Sequence, residues 1–201
     1  MNNCYLDAEA VITFFRMTGR KHIFITGSRG SGKSHLVNNM LKHMSDSFNL
    51  LQSHRTDTPQ VVIKSNLVAD NKEFVIGVPR TSGINPASKG NNMTIIEDGF
   101  INCAIPAIDT HLDTTPERLF VIDELGYLES SCIPFQKAVE KLLDNSHVLA
   151  VIRKQSTEFL NRICNRKDVL VIDIDSTFET LSCIIMAYGY CIFKKRASIK
   201  V

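Results

Sequence analysis

Gly27-Ser28-Arg29-Gly30-Ser31-Gly32-Lys33-Ser34 fits G-x-x-x-x-G-K-[ST], a loop that wraps the phosphates of a nucleoside triphosphate. Gly27 and Gly32 let the main chain approach an anion closely, because they take backbone angles barred to other residues. The N–H groups of Gly27, Ser28, Arg29, Gly30, Ser31 and Gly32 then converge as a nest beside the positive end of the following helix. Lys33 is expected to reach the β- and γ-phosphates, and Ser34 to offer its hydroxyl to Mg²⁺. The flanking sequence agrees. His22-Ile23-Phe24-Ile25-Thr26 is a short, partly β-branched apolar run, as a buried strand requires. Leu36, Val37, Met40, Leu41 and Met44 recur at helical spacing.

A second, acidic element lies about ninety residues further on. Leu119-Phe120-Val121-Ile122 is apolar at every position and leads into Asp123-Glu124. A strand apolar on both faces belongs inside a parallel sheet, and its carboxyl end lies on the rim where such sheets bind ligands. Asp123 is therefore expected to hold Mg²⁺, through water, and Glu124 to polarise an attacking water. Without the loop at 27–34, the pair would read as solvated acids before the turn at Gly126.

Working outward, Asp7 caps an expected N-terminal helix within 1–20, with Leu6, Ala10, Val11, Phe14, Phe15 and Met17 as its apolar residues and Gly19 as its stop. The helix after the loop is predicted over 33–44. Residues 48–92 are the least legible. Residues 60–65, with Val61-Val62-Ile63 at their centre, and 74–78 predict a β-hairpin turning at Asp70-Asn71, with a breaker-rich loop after it over 79–92. A short strand at 93–97 and a helix over 100–111, with Pro106 tolerable only at a kink, precede the acidic strand. Beyond it the pattern predicts a helix at 133–144, a strand at 148–152, a helix at 156–166, a strand at 169–174 and a final helix from an Asp175-Ser176 cap to about Tyr188. This alternation argues for helices on both faces of a mainly parallel sheet.

The chain has 201 residues, 44% of them hydrophobic, which suits one α/β domain over 1–201. A formal net charge of +2 creates no field directed at nucleic acid or a membrane, and no apolar run is long enough to cross a bilayer. The first residues lack the pattern of a secretory signal. The six cysteines, Cys4, Cys103, Cys132, Cys164, Cys183 and Cys191, form no C-x-x-C pair and read as reduced thiols of a cytoplasmic protein.

Phosphoryl transfer calls for one more cation near the γ-phosphate. Arg153, Lys154, Arg162 and Arg166 are the candidates, each also consistent with a solvated surface charge. Arg29 could touch phosphate or a neighbouring subunit, or point to water. His35 reads first as a helix-surface histidine, with the α-phosphate or ribose as the alternative. Lys194-Lys195-Arg196 and Lys200 lie in a basic tail over 189–201 that reads as a solvated terminus.

The two motifs together resemble the small nucleoside-triphosphatase family known as cancer-related nucleoside-triphosphatases. Its members carry a phosphate loop near the N-terminus and then D-E-[IL]-G-x-[ML]-E, which reads here as Asp123-Glu124-Leu125-Gly126-Tyr127-Leu128-Glu129. Phe135 and the strand at 148–152 match the family's next helix and its apolar strand, and Ile105-Pro106-Ala107-Ile108 resembles the helix before the acidic strand. Tyr127 stands where the family commonly has a basic residue, and residues 48–92 do not reproduce its G-x-R-x-G-F-like stretch. The resemblance implies an α/β fold, a three-layer P-loop NTPase of the RecA-like, ASCE type with a mainly parallel central sheet, here with a β-hairpin insertion. It implies Mg²⁺-dependent hydrolysis of ATP, GTP or other nucleoside triphosphates to diphosphate and phosphate. The residues carried over are Gly27, Gly32, Lys33, Ser34, Asp123, Glu124 and Glu129.

Two other readings stay open on sequence. One is a small-molecule kinase with the 79–92 loop as lid; the other is a nucleotide-driven switch acting on a protein or nucleic-acid partner. Nucleic acid itself is not an expected partner, whereas a homo-oligomer or a protein partner is compatible with the sequence.

Overall fold

The computed structural model describes residues 7–44, 47–80 and 93–175. The expected final helix, the basic tail and residues 81–92 of the breaker-rich loop lie outside the described residues.

Among the described residues the sheet has eight strands in the order β5-β4-β3-β2-β6-β7-β1-β8. These are β1 (His22–Gly27), β2 (Phe48–Arg55), β3 (Val61–Ser65), β4 (Phe74–Pro79), β5 (Met93–Ile95), β6 (Leu119–Leu125), β7 (His147–Arg153) and β8 (Val169–Asp173). The block β2-β6-β7-β1-β8 is parallel, and β3, β4 and β5 extend it antiparallel from β2. The hairpin expected at 60–78 is thus β3 and β4, and it continues the central sheet.

Alternation explains the all-apolar runs. Phe24, Phe120, Ile122, Val148, Ala150 and Ile152 join one core, while Ile23, Ile25, Val121, Leu149 and Val151 join the other. Helices cover both faces. On one lie α1 (Ala8–Thr18) and α2 (Lys33–Met44). The other carries α4 (Ile105–Thr114), α5 (Ile133–Asn145) and α6 (Glu158–Cys164). Each buried apolar side chain contributes roughly 1.5–3 kcal/mol by leaving water, so Phe24, Phe100, Phe120, Phe135 and Phe159, fully buried among the described residues, are a large part of the driving force.

The helix ends obey their sequence signals. Asp7 accepts the Ala10 N–H at 3.3 Å, and Gly19, at φ 65°, closes α1 by donating to the Arg16 carbonyl. Thr157 caps α6 by accepting from the Leu160 N–H at 3.1 Å. Capping needs an extended residue ahead of the first turn, so α6 begins later than the expected 156.

The helix expected at 100–111 starts earlier. A turn of α3 (Glu97–Gly99) runs into a π-helical turn over Phe100–Ala104 and then α4. Ile105 donates its N–H to the Phe100 carbonyl, five residues back. This wider turn sits one residue before Pro106, whose ring would clash with a carbonyl in a regular helix. Glu97 belongs to this helix, so the strand predicted at 93–97 ends at Ile95.

Residues 48–55 hold a strand that the sequence did not announce. Asn49, buried, donates its amide to His111 Nδ1 at 2.7 Å and to Thr115 Oγ1 at 2.8 Å. His111 Nε2 meets Ser146 Oγ at 2.6 Å, and burial pushes the imidazole toward its neutral form. A polar residue in β2 is thereby satisfied inside the core, as buried polar groups must be.

Candidate active site

β1 delivers the phosphate loop at the carboxyl edge of the sheet, between β7 and β8. Gly30 and Gly32 adopt φ of 78° and 92°, in the left-handed region that favours glycine. At Gly27 a β-carbon would stand 2.7 Å from Ile174 Cγ1 and 2.9 Å from Ser31 Oγ, so the close approach there also requires glycine. Ser31 closes the turn, donating its N–H (3.2 Å) and hydroxyl (2.7 Å) to the Ser28 carbonyl. Lys33 Nζ donates to the carbonyls of Gly27 (2.9 Å) and Ser28 (2.8 Å).

The far side of the loop is anchored beyond β8. Asp175 Oδ2 accepts from the Ser28 N–H (2.7 Å) and hydroxyl (2.6 Å), and these bonds hold its carboxyl below the usual carboxylate range. Lys154 Nζ bridges Asp173 (2.8 Å) and Asp175 (3.1 Å).

A cavity of about 720 Å³ opens over the loop. Gly27, Ser28, Arg29, Gly30, Gly32, Lys33, Ser34 and His35 line it, and Arg55, Glu124, Arg153, Lys154 and Gln155 complete its wall. It falls in the size range of small-molecule sites. Asp123 stands behind this wall. The side chains of Ser34 and Gln52 lie close to its carboxylate, Gln52 as its partner across the β2–β6 ladder. Burial, reinforced by Glu124, raises its affinity for a proton, against the opposing influence of Ser34, Gln52 and Lys33. The Ser34 hydroxyl and the Asp123 carboxylate are thus neighbouring hard oxygen donors. Such a pair suits Mg²⁺, which binds through one or two protein oxygens and keeps several waters.

The ladder explains how two successive acids serve one site. Asp123 pairs with Val151 and Leu125 with Ile152, so Glu124 is an extra residue that bulges out of the register. A bulge re-aims a side chain, and Glu124 turns to the cavity, where Arg153 Nε donates to its Oε1. A smaller chamber of about 140 Å³ adjoins this pair, lined by Ser53, Arg55, Tyr127 and Glu129 among others. Glu129, only 5% exposed, accepts from the Gly126 N–H at 2.9 Å and from Ser53 Oγ at 3.1 Å. Burial pushes the pKa of its carboxyl up.

Of the candidate cations, Arg153 and Lys154 reach the cavity and are paired with acids. Arg162 bonds Glu140 (2.7 Å), and Arg166 bonds Asp144 and Asp168 (both 2.9 Å); neither lines the cavity. His35 lines the cavity from the first turn of α2, and its Nε2 lies 3.0 Å from Asn39 Nδ2. Arg55 was missed, because its strand was not recognised. The signal available was the Phe48–Leu51 run ahead of it, three of whose four residues are apolar.

Comparison with known proteins bears on the family and the fold. A sequence profile described as NTPase matches residues 22–179. The nucleoside-triphosphatase THEP1 of Thermotoga sp. (strain RQ2) is 26% identical over 155 residues, covering 76% of this chain and 86% of that protein. The THEP1 of Thermotoga maritima is 23% identical over 154 residues, covering 76% and 86%. The crystal structure of THEP1 from Aquifex aeolicus superposes with a TM-score of 0.60 at 17% identity, over 82% of this chain and 98% of that one. The solution structure of a human cancer-related nucleoside triphosphatase gives 0.58 at 20% identity, over 86% and 97%. The two structures share the fold, and with the profile spanning β1 through β8, the chain belongs to the NTPase family of small nucleoside-triphosphatases.

Proposed function

We propose that the protein hydrolyses nucleoside triphosphates to diphosphate and phosphate with Mg²⁺ as cofactor. The observation that carries this reading is the convergence on one cavity of the phosphate loop, Lys33, Ser34 and Glu124, with the Asp123 carboxyl beside Ser34. The loop N–H groups bind the polyphosphate. Lys33 leaves the Gly27 and Ser28 carbonyls to meet the β- and γ-oxygens. Ser34 and Asp123 would hold Mg²⁺, which would supply positive charge against the phosphate oxygens. Glu124 takes up a proton from water as the water oxygen attacks the γ-phosphorus and the bridging P–O bond to the diphosphate breaks. Arg153 fixes the carboxylate of Glu124 in place for that role.

The adjoining chamber of about 140 Å³ lies against Glu124 and Arg153 and leaves room there for the attacking water that hydrolysis needs. Cys103, Cys132 and Cys164 are free, and burial pushes their thiols up, so they are unreactive and take no part in the chemistry.

Phosphate release from Mg·ATP and Mg·GTP by the wild type, Lys33→Ala and Glu124→Gln tests the reading. Both variants lose turnover, while Glu124→Gln, which keeps the shape of the side chain, still binds nucleotide. Equal rates in all three would refute it.

A further inference from the structure

We propose that Arg55, at the end of β2, is the guanidinium that meets the γ-phosphate, supplied by the same chain that carries the phosphate loop. The inference deepens the hydrolytic reading above and rests on it.

Position is the first argument. β2 runs parallel to β6 with Gln52 opposite Asp123. Arg55 therefore lies three residues beyond the level of Asp123, roughly 10 Å along the strand at about 3.3 Å per residue, on the carboxyl rim. Arg55 lines both the nucleotide cavity and the side chamber. Among the described residues only three line both spaces, and the other two are Glu124 and Arg153. The boundary between the spaces is where Glu124 engages water, which is the γ end of the polyphosphate. Arg29 lines the nucleotide cavity and not the chamber.

Availability is the second. Arg153 is bound to Glu124, and Lys154 to Asp173 and Asp175. The guanidinium of Arg55 makes no ion pair or hydrogen bond among the described residues, and Arg55 is exposed. Its field, with those of Arg153 and Arg80, favours ionisation of the Tyr127 hydroxyl on the chamber wall, against burial and Glu129, so the guanidinium lies near that wall. A planar guanidinium presents paired N–H donors that match two phosphate oxygens.

Chemically, Arg55 donates to the non-bridging γ-oxygens as negative charge develops there. The water oxygen bonds to phosphorus, its proton passes to Glu124, and the diphosphate leaves with the electrons of the broken P–O bond.

The test is single-turnover phosphate release from Mg·ATP and Mg·GTP by the wild type, Arg55→Ala, Arg55→Lys and Lys33→Ala, with nucleotide affinity measured separately. An arginine in this role is worth about 10³-fold or more in rate. Arg55→Ala is expected to lose that factor with affinity within about tenfold, Arg55→Lys to recover only part, and added guanidinium ion to restore some turnover to Arg55→Ala. The wild-type rate per molecule stays independent of protein concentration. Arg55→Ala within threefold of wild type, beside an inactive Lys33→Ala, overturns this proposal and leaves the hydrolytic reading intact. A rate loss matched by an equal loss of affinity also overturns it, making Arg55 a binding residue. If Lys33→Ala turns over like the wild type, the hydrolytic reading itself falls and Arg55 falls with it.

Discussion

Glu129 offers a sharp test of how the acidic turn is held. Its carboxylate is almost fully buried and accepts from the buried Gly126 N–H and from Ser53. Glu129→Ala strands the Gly126 N–H, at a cost of about 1–3 kcal/mol. The Ser53 hydroxyl has an alternative acceptor in the Glu124 carbonyl at 3.4 Å and adds little. For a chain of this size the melting temperature should fall by about 3–10 °C. Glu129→Gln keeps an acceptor for Gly126 and removes the buried charge. Burial raises the Glu129 pKa above its ordinary 4.5, so the folded state holds this proton more tightly than the unfolded chain does. The stabilisation from that protonated carboxyl is complete below pH 4.5 and is lost as pH rises through the raised folded value. The advantage of Glu129→Gln over wild type should therefore grow with pH across this window and then level off. Urea unfolding of the three proteins from pH 4.5 to 8 measures both effects. A Glu129→Ala protein as stable as wild type, or a Glu129→Gln difference that shrinks with rising pH, would refute the argument.

Two further outcomes concern the fold. His22 is fully buried 3.4 Å from Asp168, and neither ring nitrogen has a hydrogen-bond partner among the described residues. Desolvation lowers its pKa from 6.5 to about 4. Stability should be fully present above pH 6.5 and fall by up to about 3 kcal/mol as pH drops toward 4; urea midpoints should show this limb flattened in His22→Gln, and an unchanged slope contradicts it. Gly99 packs so closely on β4 that a β-carbon would lie 2.4 Å from the Val75 carbonyl oxygen and 2.7 Å from Ile76 Cγ2. Gly99→Ala should cost about 1–3 kcal/mol or more by forcing the helix off the strand, and an unchanged melting temperature would refute that packing.

Elements were legible in the sequence where local chemistry is decisive. The phosphate loop was legible because glycine at Gly27 and Gly32 answers a steric demand that no neighbour can relieve. The runs at 119–122 and 148–152 were legible because burial on both faces leaves no position for a polar residue. β2 was hidden for the opposite reason. Asn49 sits in the core only because His111 and Thr115, more than sixty residues away, satisfy its amide, and Gln52, Ser53, His54 and Arg55 give the strand a polar end facing the site. Arg55 was lost with it. The π-helical turn before Pro106 was equally invisible, since a proline marks a break without saying how the backbone absorbs it. The bulge at Glu124 depends on the register with β7, a long-range property that Asp123-Glu124 does not encode by itself.

The central claim is that the loop at Gly27–Ser34 and the acid at Asp123 act together on one magnesium-bound polyphosphate. Calorimetric titration of ATP and GTP into the wild type and Asp123→Asn, each with and without Mg²⁺, tests it most directly. The account expects saturable heat for at least one nucleotide with magnesium in the wild type, and affinity at least tenfold weaker when either the metal or the Asp123 carboxylate is removed. No heat with either nucleotide from folded wild-type protein, or identical isotherms in all four conditions, would contradict it.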